Sequence, residues 1–162
     1  MADADRKETP PATPPAEPKE RLVTTEHKLH VGKKTLEYTA TCGTVVLRDY
    51  TPSYDTKDGA PAKPDKATAS FFFIAYTLKA KKPGDAQTRP VTFSFNGGPG
   101  SSSVWLHLGL LGPQRVACDE FGHAPPPPYE LVDNEHTLLT DSDLVFIDPV
   151  GTGHSRMPAA TS

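Results

Sequence analysis

The alternation of apolar and polar positions between Val23 and Asp49 predicts β-strands near the start of the chain. β-branched residues are frequent in this segment, which also favours strands. The dipeptide Gly32-Lys33 interrupts the alternation and provides a turn signal between two runs. We therefore expect a β-hairpin or a meander here.

Apolar runs farther along the chain predict three more strands, at residues 68–78, 90–95 and 144–147. Their nearly continuous apolar character is typical of strands inside a sheet. Residues 102–111 have helical spacing and end at Gly112-Pro113, which is a stop signal for a helix. Residues 123–139 indicate an irregular surface stretch. The succession of strand, glycine turn, helix and strand is typical of the α/β class.

The first 21 residues differ from the rest because they are charged and rich in proline. Such a segment cannot bury enough apolar surface to offset the entropy that is lost on ordering. We expect residues 1–21 to be a disordered leader or linker. Residues 22–162 are then expected to form the N-terminal portion of one domain.

Composition and charge exclude several classes of function. The formal net charge is −3 and no basic run interleaves with aromatic residues, so nucleic-acid binding is not indicated. No stretch approaches the 18 apolar residues of a membrane-spanning helix, and the first residues lack the apolar region of a signal peptide. Cys42 and Cys118 do not have the spacing of a zinc site, and both a disulfide and two unpaired thiols remain open.

The stretch from Phe93 to Trp105, FSFNGGPGSSSVW, places glycines and serines directly after a predicted strand. Functional groups of α/β sheets cluster where loops leave the carboxyl ends of strands. Glycines allow backbone conformations that are closed to other residues, and they let a ligand approach the main chain. With a helix starting near Ser102, this turn suits a bound anion or a developing oxyanion. A tight turn whose glycines serve only packing is the alternative interpretation.

Neither glycine motif matches a nucleotide-binding fingerprint. The first is not followed by the Gly-Lys-Ser/Thr of a P-loop, and Gly151-Thr152-Gly153 lacks the third glycine of the dinucleotide motif. Instead, FNGGPGSSS with LGLLGPQRV behind it, and DLVFIDPVGTGHS farther along, resemble the N-terminal part of serine carboxypeptidases of the peptidase S10 family. The resemblance covers about residues 35–156. Ser94 and Ser101 stand where eukaryotic members have Trp and Cys, which resembles bacterial members.

The resemblance implies the N-terminal part of an α/β-hydrolase fold, with a mixed, mostly parallel sheet and an antiparallel N-terminal hairpin. It also implies hydrolysis of the C-terminal peptide bond of a peptide or protein substrate through an acyl-enzyme. Asn96 and the N–H of Gly97 are then expected to bind the substrate's C-terminal carboxylate, and the N–H of Gly98 to belong to the oxyanion hole. Ser101 replaces a pocket cysteine and is placed with the substrate-binding residues. Neither a cofactor nor a metal is implied.

A serine hydrolase also needs a nucleophile, a base and an acid. The nucleophile elbow of this fold is G-x-S-x-G, and the 162 residues do not contain it. The serines at 101–103 and Ser155 are expected to cap or pack, and the six histidines to be surface or packing residues. We therefore expect the chain to be the front part of a longer enzyme and inactive alone. The runs SFFFIAYTL and DLVFID are then expected to lack strand partners.

Two other interpretations remain open. A prolyl aminopeptidase has His where this chain has Asn96, and D-x-R-G-x-G-x-S where it has Asp148-Pro149-Val150. A non-catalytic protein would use the glycine turn to bind an anion or a peptide C-terminus. The family resemblance suggests a periplasmic or secreted location, whereas the oligomeric state is not indicated.

Overall fold

A computed structural model describes residues 18–48, 67–82, 84–98 and 100–158 of the chain. The strands in these ranges are β1 (Arg21–Val31), β2 (Lys34–Arg48), β3 (Ala67–Leu78), β4 (Val91–Ser94), β5 (Gln114–Val116), β6 (Leu131–Asp133) and β7 (Asp143–Ile147). The helical segments are α1 (Asp85–Thr88), α2 (Val104–Leu106), a π-helix (His107–Leu111) and a 3-10 helix (Leu138–Thr140). One sheet has the strand order β1-β2-β3-β7-β4, and β5 pairs with β6 in a second sheet.

The N-terminal hairpin predicted from the sequence is confirmed. Strands β1 and β2 pair antiparallel, with Leu29 opposite Leu36. Gly32 in the connecting turn has a φ of 57°, a left-handed conformation that favours glycine. The expected disordered leader falls largely on residues 1–17, which lie outside the described residues, and the extent of the folded unit stays a prediction.

The large sheet is mixed, as expected for the α/β class, but its balance differs from the expectation of mostly parallel strands. The pairs β1–β2, β2–β3 and β3–β7 are antiparallel, and only β4–β7 is parallel among the described strands. A parallel pair needs a long crossover. Strands β4 and β7 have one, because residues 95–142 lie between them. The sheet is therefore mixed, as the α/β class requires, but mostly antiparallel among the described strands.

The expectation that the two apolar runs lack strand partners is wrong. Strand β3 pairs with β2 on one side and β7 on the other, and β7 pairs with β3 and β4. Within the described part of the chain, β4 pairs on one side only. Its Phe93 is 60% exposed, and Phe95 just beyond it is 63% exposed.

A small core lies between one face of the large sheet and the helical segments. Its buried members are Leu29, Leu36, Tyr38, Leu139, Leu144 and Phe146. The predicted helix over residues 102–111 is present as α2 and the π-helix, and it stops at Gly112 as expected. Leu106 and Leu111 pack from these helical turns against the core. The short strand β6 and the 3-10 helix lie in the stretch predicted to be irregular.

Two further findings concern membrane-spanning helices and the two cysteines. No helix among the described residues is both long and apolar enough to cross a membrane. Cys42 and Cys118 are free thiols, which settles the alternative that the sequence left open.

Candidate functional site

The glycine turn begins where β4 ends, at the carboxyl edge of the sheet. Gly98 and Gly100 each have a φ of 84°. A Cβ atom on either residue would meet nothing within 4 Å, so the left-handed backbone and not crowding requires glycine there. Pro99 lies outside the described residues. The left-handed backbone that only glycine readily adopts is therefore present at Gly98, as the sequence predicted, but not at Gly97, and the turn is open to a ligand.

The side chain of Asn96 is fixed within this turn. Its Nδ2 donates to the Oγ of Ser101 at 2.7 Å and to the carbonyl of Gly97 at 3.3 Å. Ser101 in turn donates to the carbonyl of Ser102 at 3.4 Å. The structure thus brings Asn96, Gly97, Gly98 and Ser101 together in one turn, which is where the sequence expected the substrate-binding residues and the oxyanion donor.

The backbone N–H groups of Gly97 and Gly98 are available to a ligand. Both residues are exposed. No hydrogen-bond acceptor within the described residues pairs with either N–H group. Adjacent unpaired N–H groups at a turn form a concavity suited to a carboxylate or an oxyanion.

A second loop follows β7 at the same edge, because β4 and β7 are parallel. The N–H of Thr152 donates to the carbonyl of Pro149 at 2.9 Å, and the N–H of Ser155 donates to the carbonyl of Thr152 at 2.8 Å. Gly151 and Gly153 have φ values of 90° and 46°. The two glycine motifs of the sequence therefore form neighbouring loops.

Ser103 connects the glycine turn to β7. Its N–H donates to Oδ1 of Asp148 at 3.0 Å, and its hydroxyl donates to the carbonyl of Ile147. Ser103 occupies the N-cap position of α2, but its side chain makes no capping hydrogen bond. The expectation that this serine caps or packs is therefore met by packing and not by capping, since the residue is 2% exposed and its hydroxyl is bonded to the backbone of β7.

Ser155 is completely buried and packs as the sequence predicted. Its hydroxyl donates to the carbonyl of Asp148 at 2.6 Å and accepts the N–H of Phe72 at 2.8 Å. It therefore joins the loop after β7 to strand β3.

A polar pair on the core side of the sheet was not predicted. The hydroxyl of Tyr76 and the Nε2 of His107 lie 2.5 Å apart, and the His107 ring centroid is 4.8 Å from that of Phe146. Burial lowers the pKa of His107 to about 4, with the Asp148 carboxylate opposing the change. Burial also raises the pKa of the Tyr76 hydroxyl. The expected packing role of His107 is confirmed, and the ring is held neutral.

Two kinds of cluster are absent from the ranges 18–48, 67–82, 84–98 and 100–158. No group of three or more His, Cys, Asp or Glu side chains there could hold a metal ion. No serine hydroxyl in these ranges forms a hydrogen bond with a histidine ring.

The second loop contributes Asp148, a residue that sequence reasoning did not select. The sequence could have indicated Asp148, because it is an acidic residue directly after an apolar strand. Functional groups of α/β sheets gather at that position. The Tyr76–His107 pair had no such signal, since neither residue lies in a motif.

Comparison with known proteins gives a family match. The profile of the serine carboxypeptidase family, peptidase S10, matches residues 52–161. The chain is 31% identical over 128 residues to Serine carboxypeptidase-like 36 of Arabidopsis thaliana, covering 68% of this chain and 24% of that protein. It is 36% identical over 86 residues to the pheromone-processing carboxypeptidase KEX1 of Clavispora lusitaniae, covering 52% of this chain and 12% of that protein.

A solved structure is also similar to part of the chain. It is that of KEX1, a prohormone-processing carboxypeptidase from Saccharomyces cerevisiae, with 29% identity and a TM-score of 0.46. The similarity covers 72% of this chain and 20% of that structure. The chain thus spans 24% or less of the length of each of these relatives.

Proposed function

The chain belongs to the serine carboxypeptidase family, and from this premise we propose that it supplies the substrate-recognition turn and the oxyanion hole of a serine carboxypeptidase with an α/β-hydrolase fold. The reaction is hydrolysis of the C-terminal peptide bond through an acyl-enzyme. The observation that carries the proposal is the pair of exposed, unpaired N–H groups of Gly97 and Gly98 at the carboxyl edge of the sheet.

Recognition of the substrate's C-terminal carboxylate falls to Asn96 and Gly97. The N–H of Gly97 is an unpaired donor, and the Asn96 amide becomes one when its long 3.3 Å contact with the carbonyl of Gly97 is exchanged for the substrate. Hydrogen bonds to a charged acceptor are stronger than bonds between neutral groups, which favours this exchange. Ser101 accepts one Asn96 N–H at 2.7 Å. This contact keeps the amide in one orientation before substrate arrives, which reduces the entropy that binding has to overcome.

The N–H of Gly98 serves the oxyanion. When a nucleophile attacks the scissile carbonyl, negative charge develops on its oxygen, and a fixed N–H donor stabilises that charge. Loss of one such donor typically costs about 2.7–4 kcal/mol of transition-state stabilisation. Adjacent donors at Gly97 and Gly98 would then hold the terminal carboxylate and the reacting carbonyl of the last peptide bond.

The nucleophile and its base have to come from outside these residues, because the 162 residues contain no G-x-S-x-G elbow. The base takes the proton of the serine hydroxyl as its oxygen attacks the scissile carbonyl, and passes that proton to the leaving amine as the C–N bond breaks. Water, deprotonated by the same base, then attacks the acyl-enzyme ester and releases the acid and the serine. We expect the complete gene product to contain this elbow together with an acid and a histidine.

A kinetic experiment with the product of the complete coding region (the complete gene product) tests the proposal. We expect release of the C-terminal residue from a peptide with a free carboxylate, and little release from the same peptide with a C-terminal amide. The substitution Asn96→Ala removes a donor to a charged group and is expected to raise KM about 10–100-fold. The matched control is Gln87→Ala, which removes an exposed amide side chain from α1 and should leave KM unchanged.

Three other results of this experiment would contradict the proposal or favour a different function. Equal cleavage of the free and the amidated peptide contradicts carboxylate recognition. Release of the N-terminal residue favours an aminopeptidase of the prolyl type. Binding of the free-carboxylate peptide without any cleavage favours a non-catalytic protein that captures peptide C-termini.

A further inference from the structure

The carboxylate of Asp148 lies between the two glycine loops and uses both of its oxygens. Oδ1 accepts the N–H of Ser103 at 3.0 Å, and Oδ2 accepts the N–H of His154 at 3.2 Å. Asp148 is 9% exposed and Ser103 is 2% exposed. Hydrogen bonds from backbone N–H groups to a buried carboxylate are charge-assisted and therefore strong.

Packing leaves the carboxylate little freedom. A Cβ atom on Gly153 would lie 1.9 Å from Oδ2 of Asp148 and 3.0 Å from the Cβ of Ser102. The backbone of Gly153 therefore closes over the carboxylate and over the last part of the glycine turn. Only glycine fits at this position, and its presence keeps the two loops in close contact.

Strand β7 and the residue after it hold both ends of the glycine turn. At one end, Ser94 of β4 is paired with Phe146 of β7. At the other end, Ser103 is bonded to Asp148 and to the carbonyl of Ile147. The segment between Ser94 and Ser103 carries Gly97 and Gly98, so its shape depends on how these two anchors are spaced.

We propose that Asp148 is a positioning residue that fixes the glycine turn by its contact with Ser103 and thereby sets the direction of the Gly97 and Gly98 N–H groups. Its relevance to peptide hydrolysis rests on the function proposed above. An oxyanion donor acts only within a narrow range of distances, and a displacement of about 1 Å can lower a rate about a hundredfold. A carboxylate that never touches the substrate would in this way control the rate.

A matched pair of variants separates positioning from general stability. Asp148→Asn has nearly the same shape, but it replaces one acceptor oxygen by an NH₂ group that faces a backbone N–H. The control is Asp143→Asn at the opposite end of β7. Asp143 is also largely buried, and its Oδ1 accepts the N–H of Leu78 at 3.0 Å and the Nε of Arg89 at 2.7 Å. Both variants should lower the urea midpoint of unfolding.

The experiment compares hydrogen–deuterium exchange, read by mass spectrometry, with kinetics for the complete gene product. In Asp148→Asn we expect faster exchange in peptides that cover residues 96–106 and a fall in kcat of about tenfold or more. In Asp143→Asn we expect exchange of that segment and kcat to stay within about twofold of wild type. The split is diagnostic because both variants lose stability, so a loss of stability alone would speed exchange of this segment in both of them.

The outcomes separate this inference from the proposed function. Unchanged exchange of residues 96–106 in Asp148→Asn, or an equal change in Asp143→Asn, overturns the positioning role. If the wild-type product does not cleave peptides at all, the proposed function fails, while the exchange comparison still decides whether Asp148 fixes the turn. Changed exchange in Asp148→Asn with kcat unaltered also overturns the inference, since the turn would then move without consequence for the reaction.

Discussion

The hydroxyl of Tyr76 lies 2.5 Å from the Nε2 of His107 and joins the centre of the large sheet to the π-helix that follows the glycine turn. The two ring centroids are 5.5 Å apart, and that of His107 is 4.8 Å from that of Phe146. Burial lowers the pKa of His107 to about 4 and raises that of Tyr76. Both side chains are therefore neutral in this hydrogen bond at physiological pH. Burial disfavours the ionised form of His107 at this position.

This arrangement predicts a loss of stability in mild acid. The pKa of His107 is about 4 in the folded state, against an ordinary value of 6.5. Between these values the unfolded chain binds the proton more readily, so the free energy of unfolding falls as the pH drops from about 6.5 towards 4. Above pH 6.5 this group contributes no pH dependence. The free energy of unfolding should be lower at pH 4.5 than at pH 7.5 by an amount on the order of 2–3 kcal/mol. Urea unfolding at the two pH values measures this difference.

The variant His107→Gln provides the comparison for this prediction. Glutamine keeps a side chain that can share a hydrogen bond with Tyr76 but does not titrate. The difference in midpoint between wild type and variant should therefore shrink or reverse in acid. An identical difference at both pH values would show that His107 has no part in the pH dependence.

The close contact at Gly153 predicts that alanine is tolerated worse there than at Gly151. Both glycines have positive φ, so alanine at either position has a backbone cost of about 1–2 kcal/mol. Only at Gly153 would the new Cβ also collide with Asp148, because nothing lies within 4 Å of a Cβ on Gly151. Urea unfolding should show Gly153→Ala to be less stable than Gly151→Ala by about 1–3 kcal/mol. Equal losses would mean that the loop relaxes without cost.

The buried hydroxyl of Ser155 predicts a stability effect that surface serines lack. Ser155→Ala removes the donor to the Asp148 carbonyl and leaves the N–H of Phe72 without its acceptor. An unsatisfied buried donor costs about 1–3 kcal/mol, so the free energy of unfolding should fall by about that amount or slightly more. Ser102→Ala is the matched control, because the Ser102 hydroxyl makes no hydrogen bond within the described ranges. A similar effect of both substitutions would argue against the Ser155 contacts.

Asn134 predicts a further stability effect at the end of the π-helix. Its Nδ2 donates to the carbonyls of Leu110 and Gly112 at 2.9 and 2.8 Å, and its Oδ1 accepts the N–H of His136 at 3.1 Å. The residue is 1% exposed, so Asn134→Ala leaves the buried carbonyl of Gly112 at the helix end without this donor. We expect a loss of about 2–4 kcal/mol by denaturant unfolding. The exposed neighbour Glu135→Ala should change stability by less than about 0.5 kcal/mol, and a comparable loss there would contradict this role.

The sequence predicted strands well where continuous apolar runs marked them. Residues 68–78 and 144–147 agree closely with β3 and β7, and 90–95 contains β4. The family resemblance, which depended on two glycine motifs, is confirmed by the match over residues 52–161. The three-residue strands β5 and β6 escaped prediction because so short a segment has no period to detect.

The candidate site was predictable only in part. Glycines after a strand located the turn that holds Asn96, Gly97, Gly98 and Ser101, although their roles stay predictions. The contacts of Asp148 with Ser103 and of Tyr76 with His107 join residues 45 and 31 positions apart. Such contacts depend on strand register and on how the helical turns pack on the sheet, and no local pattern in the sequence encodes either.

We propose that this chain provides hydrogen-bond donors for a serine carboxypeptidase and that the nucleophile lies outside residues 1–162. Labelling of the complete gene product with a serine-reactive phosphonate, followed by peptide mapping, identifies the nucleophile. We expect one labelled serine, within a G-x-S-x-G sequence outside residues 1–162, and loss of peptidase activity in proportion to labelling. A label on Ser101, Ser102, Ser103 or Ser155 would contradict the claim, and so would full activity in a completely labelled product.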